Sequence, residues 1–174
     1  MRIASQGAIM NQQAHIDLIQ QLQTMIRWDG IQFSLQYLNS LSQHRYTGLF
    51  LFDGETLKNT FIFDRQSVVQ NLFPEKLTNH SYCLSVKESG QPFQVDNAVL
   101  DQRVSDHPSR DIVRSYCGVP LRDREGTVFG TLCHFSPDPC HSKDDEIPLM
   151  QTFAGVLLES ERLGEIVWRS PKVS

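Results

Sequence analysis

Several features that would place a chain in or across a membrane are missing from this sequence. No apolar run approaches the roughly 20 residues of a membrane-spanning helix, and residues 1–10 lack the apolar segment of a signal peptide. The four cysteines, Cys83, Cys117, Cys133 and Cys140, include no C-x-x-C pair of a zinc or redox site. We therefore expect a cytoplasmic protein with free thiols and no membrane partner.

Basic residues are neither abundant nor clustered. The 174 residues contain 16 Lys and Arg against 20 Asp and Glu, which gives a net charge of −4 and a pI near 5.8. The positive side chains are scattered along the chain, so we expect no nucleic acid partner. The length predicts one domain, and 40% hydrophobic residues are enough for an ordinary buried core.

The segment SYCGVPLRDREGTVFGTLCHFS, residues 115–136, predicts the centre of the fold. It reads as two strands, 115–122 and 127–135, joined by a polar turn that contains Gly126. Apolar side chains fall on both pleat faces of these strands. A strand of this kind is covered on both sides, so the rest of the chain must supply two covering layers.

The remaining patterns predict an α+β domain. Apolar residues at helical spacing indicate two N-terminal helices within 11–43, separated by a stop or kink at Gly30, and a C-terminal helix over 143–168. The sheet and its connecting loops fill the stretch between the terminal helices. The predicted segments are a loose lead-in at 1–10, one domain at 11–169, sheet and pocket loops at 46–135, strands at 46–52, 57–63 and 93–95, short helices at 82–89 and 109–113, and a tail at 170–174.

Several of these segments resemble GAF domains. They are LNSLSQHRYTGLFLFDG at 38–54, SYC at 81–83, ESGQPFQVDNA at 88–98, D-x-R at 101–103 and, most strongly, residues 115–139, which are similar to the G-V-P-L…G-x-x-x-G-T-L-C pattern of GAF domains in bacterial signalling proteins. The resemblance covers roughly 31–163. It implies a central six-stranded antiparallel sheet with the terminal helices on one face and short helices and loops on the other.

The resemblance also implies a function. GAF domains commonly dimerise through their terminal helices and commonly enclose a small-molecule pocket on the other face of the sheet, although the ligands vary widely. We therefore expect a non-catalytic sensory module that binds a ligand of unknown identity, forms a homodimer and acts on a signalling partner protein. We expect no cofactor and no metal ion. A ligand-free dimerisation module is an alternative.

Aromatic, cysteine and charged side chains are the candidates for ligand contact. One alternating set of aromatics should line the pocket, and Arg can clamp a carboxylate or phosphate. The plainer interpretations are an ordinary core for the aromatics and a solvated loop with local salt bridges for the charges. The candidate ligand-binding residues are Phe50, Phe52, Phe61, Phe63, Tyr82, Cys83, Asp101, Arg103, Asp106, His107 and Tyr116.

Cys83 raises the alternative of a thiol redox enzyme or switch, with Cys117 considered as its partner. A helix N-terminus favours the thiolate, although a small buried residue is the plainer interpretation. The position resembles one in free methionine-R-sulfoxide reductases, which are GAF-fold enzymes whose catalytic cysteine lies in the following loop. That loop here, VSDHPSRDIV at 104–113, has no cysteine, which argues against the enzyme.

Cys133 and His134 form a dipeptide like that of bilin-binding GAF domains. Strand alternation predicts that the two side chains point to opposite faces of the sheet. They cannot then both face one pocket, so we expect structural roles for them.

Overall fold

Helices at both ends of the chain flank an antiparallel sheet. The structure is a computed structural model that describes residues 2–67 and 76–164. Within these residues the α-helices are α1 (Arg2–Ser40), α2 (Cys83–Ser89) and α3 (Glu146–Glu159). The strands are β1 (Tyr46–Asp53), β2 (Thr56–Asp64), β3 (Lys76–Leu77), β4 (Phe93–Val95), β5 (Ser115–Arg122) and β6 (Val128–Ser136). None of the described helices combines the length and apolar character that crossing a bilayer requires.

The strands pair in the order β3-β2-β1-β6-β5-β4, and every pairing is antiparallel. This confirms the predicted α+β class and the antiparallel sheet. Five strands make up the body of the sheet, one fewer than predicted, because β3 is only a two-residue pairing at the edge of β2. The hairpin of β5 and β6 lies inside the sheet, as its two-sided apolar pattern predicts.

One face of the sheet packs against the two terminal helices. We call this the helix side. From α1 and α3 it receives apolar side chains spaced three or four residues apart, which place one stripe of each helix against the strands. The buried residues of this layer are Leu22, Ile26, Ile31, Leu35, Leu38, Leu49, Leu51, Cys117, Val119, Leu121, Leu132, Met150, Phe153, Ala154, Val156 and Leu157.

The opposite face, which we call the pocket side, is covered by α2 and by the loops around it. This layer contains more aromatic side chains than the helix side. Its buried residues are Phe50, Leu57, Ile62, Tyr82, Cys83, Val86, Val95, Ala98, Val104, Tyr116, Cys133 and Phe135. The two covering layers predicted from the hairpin are therefore both present.

A β-bulge changes which face the aromatics of β2 occupy. The register shifts between Leu49 and Phe50, so that Leu49 pairs with Phe61 whereas Phe50 pairs with Asn59. The extra residue, Thr60, reverses the alternation along β2. Phe61 and Phe63 consequently pack on the helix side, which corrects their prediction as pocket residues.

The N-terminal helix is longer than the sequence predicts. Residues 2–10 are helical, so the predicted loose lead-in is wrong. The predicted kink at Gly30 is confirmed, because this residue has φ 87° and ψ 175° inside α1. A positive φ of this size is readily available only to glycine, and it redirects the second half of α1 along the sheet.

Two other helix predictions need correction. Residues 109–113 form turns instead of a helix, and a 3-10 turn lies earlier, at Gln102–Val104. The last helix begins at Glu146 and ends at Glu159, because Ser160 is extended. The predicted end of that helix near 168 and the tail at 170–174 lie outside the described residues.

Candidate functional site

A small cavity lies between the sheet and α2 on the pocket side. Its volume is about 20 Å³, which is room for about one water molecule. Three strands, β1, β5 and β6, contribute to its wall together with the segment that leads into α2 and the loop before β5. The lining residues are Phe50, His80, Ser81, Tyr82, Cys83, Ser109, Val113, Tyr116, Cys133 and Phe135. Four of the predicted site residues, Phe50, Tyr82, Cys83 and Tyr116, are among them.

Cys83 is the most heavily hydrogen-bonded group in this cavity. The Tyr116 hydroxyl donates to its sulfur over 3.3 Å and the Thr131 hydroxyl over 3.1 Å. Burial raises the pKa of the Cys83 thiol, but hydrogen bonds from Cys133, Ser81, Thr131 and Tyr116 outweigh burial and lower it to about 6. The hydroxyl donors around Cys83 therefore favour its thiolate form.

Tyr82 brings a polar group into an apolar setting. The side chain is 1% exposed, and its hydroxyl has no hydrogen-bond partner among the described residues. Burial raises the pKa of Tyr82 to about 12, so the hydroxyl keeps its proton as a donor. Its ring stacks on His107 with centroids 4.2 Å apart. A buried hydroxyl without a partner costs about 1–3 kcal/mol, and a ligand can remove that cost.

Residues 101–114, which we call the lid, close the cavity from outside. The Ser109 hydroxyl donates to the carbonyl of His80, and the Ser109 N–H donates to Nδ1 of His107 over 3.1 Å. Arg110 donates to the carbonyl of Val99 over 2.8 Å, which ties the lid to the preceding loop. The lid thus contributes Ser109 and Val113 to the cavity wall and holds His107 against Tyr82.

The charged residues predicted for ligand contact lie outside the cavity. Asp101 and Arg103 form an ion pair of 2.6 Å at the mouth of an open groove. The Arg103 guanidinium lowers the pKa of Asp101 and also donates to the carbonyl of Gln94. Asp106 is exposed. The plainer interpretation, a solvated loop with local salt bridges, describes these three side chains.

The remaining predictions divide between the two faces. Phe52 packs at the edge of the pocket-side core, under the ammonium group of Lys87, but does not line the cavity. Cys117 lies on the helix side, 3.8 Å from the Met150 sulfur, so it is not placed to pair with Cys83. Cys133 faces the pocket side whereas His134 faces the helices, which confirms the predicted alternation.

A buried polar network that the sequence analysis missed lies on the helix side. His44 Nδ1 is 3.2 Å from Glu146 Oε1, and the Ser42 hydroxyl donates to the same oxygen over 2.6 Å. The His134 ring stacks on His44 at 5.7 Å, and its Nδ1 is 2.6 Å from the Thr47 hydroxyl. These groups join the loop after α1, the strands β1 and β6, and the first residue of α3. No short motif marks the pair, because His44 and Glu146 are 102 residues apart in the chain.

The charges in this network follow from burial and pairing. Burial lowers the pKa of His44, but the neighbouring Cys140 and Glu146 outweigh it and raise the pKa to about 9. Burial raises the pKa of Glu146, but hydrogen bonds with His44 and Ser42 lower it to about 2. Burial and the charge of His44 lower the pKa of His134 to about 3. The network is therefore an imidazolium–carboxylate pair beside a neutral imidazole.

Some cavity residues escaped prediction although a signal was present. Alternation along β6 places Cys133 and Phe135 on one face, but it does not say which face is the pocket side. Ser109 and Val113 gave no signal, since they lie in irregular backbone. Across residues 2–67 and 76–164, no group of three or more His, Cys, Asp or Glu side chains is placed to hold a metal ion.

An antiparallel sheet with terminal helices on one face and short helices and loops over a small cavity on the other defines an α+β domain of two covering layers. The chain belongs to the GAF domain family, whose model matches residues 29–157. This is most of the chain, and it includes every strand, the cavity and most of α3. No curated protein matches the sequence.

Solved structures share the fold at low sequence identity. The free methionine-R-sulfoxide reductase from Neisseria meningitidis in complex with its substrate has a TM-score of 0.66 and 14% identity, covering 89% of this chain and 91% of that chain. The GAF domain of a phosphoenolpyruvate-protein phosphotransferase from Coxiella burnetii has a TM-score of 0.65 and 13% identity, covering 89% of this chain and 96% of that chain. The phycocyanobilin-bound GAF domain of a cyanobacterial phytochrome has a TM-score of 0.63 and 11% identity, covering 83% of this chain and 91% of that chain. These identities show the fold alone.

Proposed function

We propose that this protein is a non-catalytic sensory GAF module whose ligand binds in the cavity beside Tyr82. The observation that carries the proposal is the Tyr82 hydroxyl, which is buried in an aromatic wall without a partner among the described residues. GAF domains commonly bind small ligands, and this cavity lies on the face of the sheet that is not covered by the terminal helices. A donor directed at a ligand explains why a costly polar group is kept there.

The size of the cavity limits the ligand in this conformation. About 20 Å³ admits a water-sized molecule. A larger ligand must displace the lid or the Tyr82 ring, and the energy of its contacts must then exceed that of the Tyr82–His107 stack and the Ser109 hydrogen bond. A water-sized ligand and a larger one would both change the conformation in the same way, by favouring one arrangement of lid and sheet over another.

The route from cavity to terminal helices runs through two central strands. In β6, Cys133 faces the cavity and the next residue, His134, stacks on His44 against Glu146. In β5, Tyr116 faces the cavity and Cys117 packs on Met150 of α3. A shift of either strand therefore moves contacts of α3 directly, which suits a module that reports through its helices to a signalling partner protein.

The terminal helices also support the proposal of a homodimer. Ile16, Trp28 and Phe33 of α1 are 41%, 72% and 49% exposed. Large apolar side chains of this exposure on one element are typical of an interaction surface. Static light scattering tests the proposal, since a monomer at micromolar concentration would contradict it.

Absence of a cysteine in the lid supports a sensor over a sulfoxide reductase. Within the lid, His107 occupies the inward position against Tyr82. Imidazole cannot replace a thiolate in the attack on a sulfoxide sulfur that forms a sulfenic acid.

Thermal shift under reducing conditions, against a panel of metabolites and nucleotides, tests the proposed function. We expect at least one ligand to raise the Tm of the wild type, and its effect to be lost or strongly reduced in Tyr82→Phe. Without ligand, Tyr82→Phe should be equal to the wild type or more stable by about 1 kcal/mol, because the hydroxyl has no partner to lose.

Tyr37→Phe is the matched control, since Tyr37 packs at the edge of the helix-side core. It should leave the ligand-induced shift unchanged. A ligand shift that is equal in wild type and Tyr82→Phe would remove Tyr82 from the site. A panel without any shift, together with a Tyr82→Phe variant less stable than the wild type, would contradict the sensory function.

A further inference from the structure

Two cysteines meet in the cavity, and membership of the GAF family assigns them no task. Cys83 enters from the first turn of α2 and Cys133 from the centre of β6. Both side chains line the same cavity of about 20 Å³ and belong to the same buried cluster. They are 50 residues apart in the chain, so only the fold brings them together.

We propose that Cys83 and Cys133 form a peroxide-sensing thiol pair, in which Cys83 is oxidised first and Cys133 then closes a disulfide with it. The inference rests on the proposed function, because it names a water-sized peroxide as the ligand class of the same cavity. Cys83 acts as the nucleophile and Cys133 as the resolving thiol.

The surroundings of Cys83 suit a nucleophilic sulfur. Hydroxyl donors from β5 and β6, Tyr116 and Thr131, lie 3.3 and 3.1 Å from it. Burial raises the pKa of Tyr116 well above its ordinary range, so this hydroxyl keeps its proton and remains a donor. Thiolate is the form that reacts with peroxides, and both hydroxyls stabilise it without competing for the proton.

The cavity itself selects for a small, neutral reactant. Its volume of about 20 Å³ is close to the space that one water molecule occupies. Hydrogen peroxide is a neutral molecule little larger than water, whereas a thiol reagent with a bulky substituent has no room beside Cys83. Tyr82 lines the same cavity, and its hydroxyl, which has no hydrogen-bond partner among the described residues, can donate to a peroxide oxygen that reaches it.

The chemistry balances with peroxide as the only added reactant. The Cys83 sulfur attacks one peroxide oxygen, an S–O bond forms as the O–O bond breaks, and the departing hydroxide takes up the proton that Cys83 gave to solvent. The Cys133 sulfur then attacks the sulfenic sulfur, an S–S bond forms as the S–O bond breaks, and hydroxide leaves with the Cys133 proton. The sum is two thiols and one peroxide giving one disulfide and two waters.

A disulfide between Cys83 and Cys133 could affect the terminal helices through the contacts of β6. It would join α2 to β6 next to His134, whose ring contacts His44 and faces Glu146 at the start of α3. Closing the bond requires α2 and β6 to adjust, and His134 moves with β6. The same strand that reports a bound ligand would therefore report oxidation.

The test is residue-resolved oxidation of the folded wild-type protein by hydrogen peroxide, followed by acid quench, thiol labelling and peptide mass spectrometry. We expect Cys83 to lose its free thiol about tenfold or more faster than Cys117, and a Cys83–Cys133 disulfide to be the product. Cys117 is the internal control, because it is also buried but its pKa is raised to about 12 by burial, the charge of Glu146 and its other neighbours. Equal rates for Cys83 and Cys117, or a disulfide between other cysteines, would overturn the proposal.

Two variants locate the roles. Cys133→Ser should stop the reaction at a Cys83 sulfenic acid that dimedone traps after the quench. Thr131→Val should slow the loss of the free Cys83 thiol by about tenfold, because it removes one hydrogen bond to the charged sulfur. If Cys83 of Cys133→Ser is still converted to a disulfide with another cysteine as fast as Cys83 of the wild type, Cys133 is not the resolving thiol. If Cys83 is inert while the ligand panel still raises the Tm of reduced protein, the peroxide inference fails and the sensory function stands.

Discussion

At the scale of single residues, the least common feature of the structure is a small set of buried polar groups on each side of the sheet. On the pocket side, Tyr82 brings a hydroxyl donor and Cys83 a thiol of lowered pKa into an aromatic wall. On the helix side, His44 and Glu146 are 0% and 4% exposed and form an ion pair. Groups like these are costly to bury, so each must be matched by a partner in the protein or by a ligand. His44 Nδ1 and Glu146 have the first kind of match, whereas the Tyr82 hydroxyl has no partner among the described residues, which is the basis of the proposed ligand site.

The ion pair gives a prediction for stability against pH. The pKa of His44 is raised from 6.5 to about 9, so its contribution is complete below pH 6.5 and is lost as the pH rises through 9. The pKa of Glu146 is lowered from 4.5 to about 2, so its contribution is complete above pH 4.5 and is lost as the pH falls through 2. The pair therefore contributes most between pH 4.5 and 6.5.

Glu146→Gln should lower the free energy of unfolding by about 3 kcal/mol near pH 6, because it removes one partner of a buried pair. The difference from the wild type should shrink between pH 6.5 and 9, where the wild type itself loses the His44 contribution. Urea unfolding over this pH range measures both effects. Glu159→Gln, on the exposed end of the same helix, is the control and should change the free energy by less than about 0.5 kcal/mol. Parallel curves for Glu146→Gln and the wild type would contradict the assigned pair.

At the scale of elements, the sequence predicts what depends on local pattern. The two-sided apolar strands of residues 115–135 and the kink at Gly30 both follow from neighbouring residues, and both are present. The face of Phe61 does not, because it depends on a bulge whose register is set by the partner strand. The 109–113 segment forms turns because its N–H groups bond to nearby carbonyls in the lid, which no periodic pattern reveals.

Two glycines should respond to alanine with opposite signs. Gly90 ends α2 with φ 64°, so Gly90→Ala should lower the free energy of unfolding by about 1–2 kcal/mol. Gly155 lies on the exposed side of α3, and a Cβ there would meet no described atom within 4 Å. Gly155→Ala should therefore raise the free energy of unfolding by about 0.5–1 kcal/mol through helix propensity alone. Thermal or urea unfolding measures both, and a stabilised Gly90→Ala would show that the end of α2 is not as described.

At the scale of the whole molecule, one sheet separates two layers of different composition. The helix side has a dense aliphatic core, an ion pair and exposed apolar residues on α1, which suit assembly and signal output. The pocket side has an aromatic core and a water-sized cavity under the lid, which suit recognition. Fold class and this division were predictable from the hairpin and the family resemblance. The contents of the cavity were not, because Ser109, Val113 and Cys133 meet there through tertiary packing alone.

A crystal structure of the reduced protein purified from its natural host, at a resolution that shows ordered solvent, tests the central claim most directly. We expect electron density for a bound molecule in the cavity, within hydrogen-bond distance of the Tyr82 hydroxyl and bounded by Cys83 and Tyr116. A Tyr82 hydroxyl bonded to another protein group, with side chains filling the space beneath the lid, would contradict it.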